Sequence, residues 1–213
     1  MEIAIEKQLQ KMSLIDYATI KNLLHANGYK YINDKIKNMK HKGLLTTLKR
    51  GLYVYNSPYL DKLVSKEIIG NNLLGPSYIS YDYALSYHGL IPERIEEVTS
   101  ATSKRSKNFS TPYGTFSYRH INKKLFSLGL MIVSTKQGGF MIATPEKALC
   151  DKLMIITGIK ITSKKKMLTL LEDDLRIDMD ELSGVDLKMI ERYAIISKST
   201  KIYFLLKVLK EIS

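Results

Sequence analysis

Ile32, Ile36 and Met39 stand at i, i+4 and i+7 in a stretch that is otherwise polar, and Gly43 follows shortly after. That spacing predicts a helix from about Tyr31 to Lys42 with one apolar stripe, stopped by a residue that can adopt the left-handed conformation. Next come Leu44-Leu45-Thr46-Thr47-Leu48, the turn Lys49-Arg50-Gly51, and Leu52-Tyr53-Val54-Tyr55. Two β-prone runs around a basic, glycine-containing turn read as a hairpin.

The residues ahead of this pair supply two more helices. Glu2 to Lys11 reads as a short amphipathic helix with Ile3, Ile5, Leu9 and Met12 available to one side. Ser13-Leu14-Ile15-Asp16 resembles a capping box. It predicts a helix from there to about His25 that buries Ile15, Ala18 or Thr19, and Leu23, with Asn27-Gly28 breaking it. Three short helices and a basic-tipped hairpin are the order of a winged helix-turn-helix, in which the third helix enters the major groove and the hairpin touches the backbone or minor groove. At about 100° per residue, Asp34, Lys37, Asn38 and His41 face outward, with Tyr31, Asn33 and Lys40 on the flanks. Cations and amides are the side chains that meet phosphates and base edges. The candidate DNA-binding residues are therefore Tyr31, Asn33, Lys37, Asn38, His41, Lys49 and Arg50. A small helical cap with a solvated lysine face is the plainer alternative.

Charge favours the first reading without deciding it. The chain of 213 residues has 33 Lys+Arg against 21 Asp+Glu, a net +12. Residues 1–60 hold ten basic and four acidic side chains, so half of the excess lies in little more than a quarter of the length. A positive field of this size draws polyanions. The cations are 27 Lys and six Arg, a bias that an A/T-rich coding sequence also produces.

The fold class expected is α+β, with a winged helix-turn-helix at residues 1–58 and a mixed α/β domain with C-terminal helices at 59–213. In the second part a polar helix is expected from Asp61 to about Asn71, ended by Gly75-Pro76. Ser77–Ser80 reads as a strand and Tyr81–His88 as a helix closed by Gly89. Ile95–Ala101, Phe109–Pro112, Gly114–Ile121, Met131–Ser134 and Phe140–Ala143 are strand candidates, with Lys136-Gln137-Gly138-Gly139 as a turn. Thr144-Pro145-Glu146 has the Thr N-cap, first-turn Pro and first-turn acid of a helix start. Leu168, Leu171 and Leu175, then Leu187, Ile190, Tyr193 and Ala194, then Tyr203, Leu206 and Leu209 mark three apolar helical faces.

Catalytic equipment is sparse. The four histidines (His25, His41, His88 and His120) lack metal-binding spacing, and the single Cys150 reads as a buried, inert thiol. No phosphate-cradling glycine loop and no GxSxG elbow occurs. The expectation is no enzyme, no cofactor and no metal. The alternative enzyme is a metal-dependent nuclease using Glu96, Glu97, Lys104 and Glu146-Lys147. Its plain counterpart is a solvent-facing strand for Glu96 and Glu97, and for Glu146 an acid opposing a helix dipole. No window holds the about 18 apolar residues of a membrane helix, and the polar start MEIAIEKQLQ argues against a secretory signal. The expected setting is cytoplasmic, with no membrane partner.

Three ordered stretches resemble the AbiEi family, the antitoxins of AbiE-type (type IV) toxin–antitoxin systems in phage defence: Gly43-Leu-Leu-Thr-Thr-Leu-Lys-Arg-Gly51-Leu-Tyr-Val, Tyr78-Ile-Ser-Tyr-Asp-Tyr-Ala-Leu-Ser-Tyr-His-Gly-Leu90, and Ile142-Ala-Thr-Pro-Glu-Lys-Ala-Leu-Cys-Asp151. The resemblance spans roughly residues 43–151. It implies a transcriptional autorepressor whose winged helix binds double-stranded DNA at inverted repeats in its own promoter. It also implies a second domain that counters a nucleotidyltransferase-like toxin, a genetic partner with which no direct complex is expected. By position, Lys49, Arg50 and Gly51 correspond to the family's wing. A winged-helix adaptor that binds protein instead of DNA is the third reading.

Overall fold

A computed structural model describes residues 2–10, 12, 14–56, 64–182 and 184–212. The chain is α+β with two sheets. It begins with α1 (Glu2–Leu9), β1 (Leu14–Asp16), α2 (Tyr17–Ala26), α3 (Ile32–His41), β2 (Leu45–Lys49) and β3 (Leu52–Tyr55).

One departure from expectation lies at α2. Leu14–Asp16 is a strand, because central β3 offers it a free edge: Leu14 pairs with Val54, Ile15 with Tyr53 and Asp16 with Leu52. The helix starts only at Tyr17, and its cap is Asp16, whose carboxylate accepts from the Thr19 amide at 2.7 Å. The same bond holds the Asp16 carboxyl below the usual range. Ile15 is still buried, but α2 turns Ile20 and Leu24 inward in place of Ala18 and Leu23. Ser13 lies outside the described residues. In α3 the stripe of Ile32, Ile36 and Met39 is buried, and Gly43 takes a φ of +72° where the chain leaves for β2.

The first sheet has the order β1-β3-β2. Alternation along β3 serves two cores at once. Tyr53 and Tyr55 join Ile5, Leu9, Ile15, Ile20, Leu24, Ile32, Ile36 and Met39. Leu52 and Val54, with Leu48 of β2, point into the larger core. The hairpin is therefore sandwiched between the N-terminal helices and the rest of the molecule.

The remainder contains α4 (Lys66–Leu73), β4 (Ser77–Ile79), α5 (Tyr81–Tyr87), β5 (Val98–Thr102), β6 (Lys107–Thr111), β7 (Gly114–His120), α6 (Lys123–Phe126), β8 (Leu130–Thr135), β9 (Gly138–Ala143), α7 (Pro145–Ile155), α8 (Lys164–Thr169), α9 (Leu187–Ser197) and α10 (Thr200–Ile212). A π-helical turn (Leu170–Asp174) prolongs α8, and a short 3-10 turn covers Asp180–Leu182. The second sheet is mixed, in the order β6-β7-β5-β4-β9-β8. Its parallel pairs are β5 with β7 and β4 with β9; the others are antiparallel. Helix α4 starts at Lys66, capped by the Ser65 hydroxyl at the Ile68 amide; the expected earlier turns fall partly on residues 57–63, outside the described residues. It approaches the sheet closely at Gly70, where an added Cβ would sit 3.1 Å from Val98. In α10 the buried face is Ile202, Leu205, Val208 and Leu209, so the expected Tyr203 and Leu206 lie off it and Tyr203 is 48% exposed. Among the described residues no helix is long and apolar enough to cross a membrane.

Candidate nucleic-acid interface

The outward side of α3 is built by its buried stripe. With Ile32, Ile36 and Met39 turned into the core, helical geometry leaves Asn33, Asp34, Lys37, Asn38, Lys40 and His41 exposed. Tyr31 occupies the N-cap position and is 78% exposed. Asn33 is held: its Oδ1 accepts from the Tyr17 hydroxyl at 2.9 Å, which links the starts of α2 and α3. The Lys35 ammonium lies over the Tyr29 ring, 4.8 Å from its centroid.

The hairpin tip divides its two cations. Gly51, at φ +79°, turns the chain, and its carbonyl accepts from the Tyr17 amide at 2.9 Å. Arg50 is exposed at the tip. Lys49 points the other way. Its ammonium donates to the Leu73 carbonyl at 2.6 Å and to the Asn72 carbonyl at 3.4 Å, at the C-terminal end of α4, where helix carbonyls attract a cation. Partial burial, and then the like charges of Lys107 and Lys104, hold the Lys49 ammonium below its ordinary value. The hairpin is thus fastened next to its turn, on either side of Arg50, and the two expected wing cations differ in surroundings.

Lys104 and Lys107 belong to a feature that the sequence reading passed over. From Val98 to Pro145 the chain carries seven cations (Lys104, Arg105, Lys107, Arg119, Lys123, Lys124 and Lys136) and no acid. Lys104, Arg105 and Lys107 are exposed on the turn into β6. The β6–β7 hairpin is tied to the first sheet by the Tyr113 hydroxyl, which donates to Asn56 Oδ1 at 3.1 Å, while the Asn56 amide donates to the Gly43 carbonyl and the Thr46 hydroxyl. A count of acids along the sequence would have found the stretch; its nearness to Lys49 depends on the fold.

The acids proposed for metal chemistry are not brought together. Glu96 and Glu97 precede β5 in a loop, and Glu96 is ion-paired with Lys66 at 2.8 Å and Arg94 at 3.1 Å. Those cations hold its carboxyl below the usual range, Lys66 first. Glu146 is buried and accepts from the Thr144 hydroxyl at 2.6 Å, so that hydroxyl does not cap the helix backbone as expected. Among the described residues no group of three or more His, Cys, Asp or Glu side chains could share a metal ion.

A second polar cluster is enclosed. Lys147 and Asp151, one turn apart on α7, are both wholly buried, with Lys147 Nζ 2.7 Å from Asp151 Oδ1. Tyr193 donates to Oδ1 at 2.8 Å, and Tyr78 and Ser80 donate to Oδ2 at 2.9 and 2.8 Å. Lys147 also donates to the Leu125 carbonyl at 3.0 Å and lies 4.6 Å from the centroid of the Tyr193 ring. Burial lowers the Lys147 ammonium, with Asp151 opposing, and drives the Tyr78 and Tyr193 hydroxyls far upward. The adjacent Cys150 is wholly buried and its thiol is pushed well up, so it is held neutral. Two of the quoted motifs therefore meet in space, and α9 completes the set.

No protein-family model and no curated protein matches the chain. The crystal structure of the RV2827C protein from Mycobacterium tuberculosis is similar in fold, with a TM-score of 0.56 over 98% of this chain and 80% of that one, at 10% identity.

Proposed function

We propose that this chain is a sequence-specific DNA-binding protein of winged helix-turn-helix type that represses its own operon and serves as the antitoxin of a type IV toxin–antitoxin system. Residues 1–58 are the DNA-binding unit and 59–213 the antitoxin unit. The observation that carries the DNA-binding half is the exposed face of α3, with Lys37, Asn38 and His41 set beside a hairpin whose tip presents Arg50. In this reading Asn38, a residue type that can pair with adenine, reads a base edge; Tyr31 and Asn33 border the groove; Lys37, His41 and Arg50 meet phosphates. Lys49 positions the hairpin through α4 and adds to the local positive field. The acid-free stretch behind the hairpin extends that field in support. The antitoxin half rests on the ordered motifs resembling the AbiEi family. Its genetic partner is a nucleotidyltransferase-like toxin.

The test is binding of the purified chain to labelled DNA from upstream of its own gene, beside a scrambled duplex of equal length, across a salt series. Specific binding that survives near physiological salt supports the proposal. Equal binding to both duplexes that collapses with salt reduces the +12 charge to a generic attraction and overturns it.

A further inference from the structure

The two edges of the six-stranded sheet are treated differently by the sequence. An open edge strand offers its peptide groups to any other strand, and proteins blunt such edges with charge, bulges or cover. Edge β6 is blunted: Lys107 and Asn108 are exposed, Lys104 and Arg105 precede it, and β2 packs against it. Edge β8 carries neither a charge nor a bulge, and no further strand pairs with it among the described residues. Leu130-Met131-Ile132-Val133-Ser134-Thr135 lies in an eleven-residue uncharged run from Leu125 to Thr135 in a chain of net charge +12. Its six pairs with β9 keep one register without a bulge, and Ile132 is 70% exposed.

The hydrogen-bond parity of β8 is fixed. Thr135 faces Gly138 across a two-residue turn, and the Gly129 carbonyl accepts from the Thr144 amide at 2.8 Å in the same register. Antiparallel ladders alternate bonded and non-bonded pairs. Odd-numbered residues of β8 therefore bond to β9, while the peptide groups of Leu130, Ile132 and Ser134 point away, on a side where the sheet has no further strand among the described residues.

We propose that β8 is a homotypic docking edge: two copies of this chain pair their β8 strands antiparallel about a two-fold axis, with Ile132 opposite its own counterpart and Leu130 opposite Ser134. Three observations select a second copy as the occupant. An antiparallel strand can pair with itself and close a two-fold dimer with no other component. The outward peptide groups include Ile132 at the strand centre, so this register satisfies donors and acceptors of both strands together. The uncharged run lets two highly cationic molecules approach, because Lys136 then lies beside Leu128 and not beside another cation.

Sedimentation of the full chain from about 1 µM to about 200 µM should show a monomer–dimer equilibrium. Ile132→Lys sets two cations opposite each other and raises the dissociation constant at least about tenfold. Ile195→Lys, at a residue on α9 that is 73% exposed, leaves it unchanged. An Ile132→Cys variant should cross-link on oxidation, since the facing Cα atoms of a bonded pair lie about 5.5 Å apart, within disulfide reach. Ser134→Cys should not, and buried Cys150 stays silent in both. Circular dichroism checks that each variant is folded. A monomer at every concentration, a dimer dissolved by Ile195→Lys but not by Ile132→Lys, or equal cross-linking at 132 and 134 overturns the proposal. No arm uses DNA, so failure here is distinct from failure of the proposed function.

Discussion

Lys147 Nζ and Asp151 Oδ1 meet at 2.7 Å with neither side chain exposed, and Tyr78, Ser80 and Tyr193 hydroxyls use the remaining acceptor capacity of the carboxylate. A buried charge is tolerated when it is paired and hydrogen-bonded on all sides, and breaking one partner leaves the other stranded. The cluster joins β4, α7 and α9, so the C-terminal helices are keyed to the sheet through one carboxylate. Asp151→Ala should lower stability by about 3–5 kcal/mol, with Asp151→Asn losing less because the amide oxygen still accepts. Urea denaturation reads both; a loss below about 1 kcal/mol for Asp151→Ala contradicts this role.

Alkaline pH should unfold the chain through its tyrosines. Burial raises the hydroxyls of Tyr78, Tyr81, Tyr83, Tyr118 and Tyr193 above the ordinary value of 10.0. A group whose folded-state pKa lies above its unfolded value contributes stability fully below the unfolded pKa and loses it as pH rises beyond. Cys150, also raised by burial, adds to the tyrosines, while Lys147 and Lys49, both lowered by burial, contribute with the opposite sign, two groups against six. The urea midpoint should hold up to about pH 9, where the unfolded thiol begins to ionise, and fall further above about pH 10, with a late rise of tyrosinate absorbance coinciding with unfolding. Absorbance from all 14 tyrosines rising together near 10 in folded protein contradicts the assignment.

Lys49 and Arg50 are neighbours with separable roles. Lys49→Met removes the ammonium from the Leu73 and Asn72 carbonyls and should cost about 1–3 kcal/mol of stability. Arg50→Ala, at an exposed tip, should leave the melting curve within about 0.5 kcal/mol. Its effect is expected on DNA, as a uniform loss of affinity with the salt slope reduced by about one. Equal melting shifts for the two variants would remove the distinction.

Asn38→Ala should act on discrimination. If Asn38 reads a base, the preference for operator over scrambled duplex narrows by about 1–3 kcal/mol, with the salt slope kept. A Lys104→Glu and Lys107→Glu double variant should instead weaken both duplexes and flatten the salt dependence. The two salt titrations, run side by side, decide it: an Asn38→Ala loss that is equal on both duplexes rules out base reading.

Local pattern made much of the fold legible. The stripe of Ile32, Ile36 and Met39 is buried as the helical period requires, and Leu45–Lys49 and Leu52–Tyr55 flank the Lys49-Arg50-Gly51 turn. Errors arose where a partner distant in sequence overrode a local signal. Leu14–Asp16 carries helix-start chemistry, yet β3 recruits it as a strand and leaves Asp16 to cap α2. In α10 the run Ile202 to Leu209 is apolar almost all round, so periodicity could not choose between its faces.

The outward set on α3, the basic hairpin and the start of α7 at Pro145 were legible from the chain alone, because each follows from neighbours within a turn or a strand. What the charges do is set by the packed fold. Lys147 and Lys49 are the same residue type with the same intrinsic chemistry; one is sealed against Asp151, and the other rests on the end of α4. The energy of a charge depends on the burial and partners around it; Asp151 is local to α7, but the Tyr78 and Tyr193 that enclose the pair, like the Leu73 carbonyl under Lys49, come from segments distant in sequence. For the same reason the uncharged run at β8 acquires its meaning only as the open edge of a folded sheet.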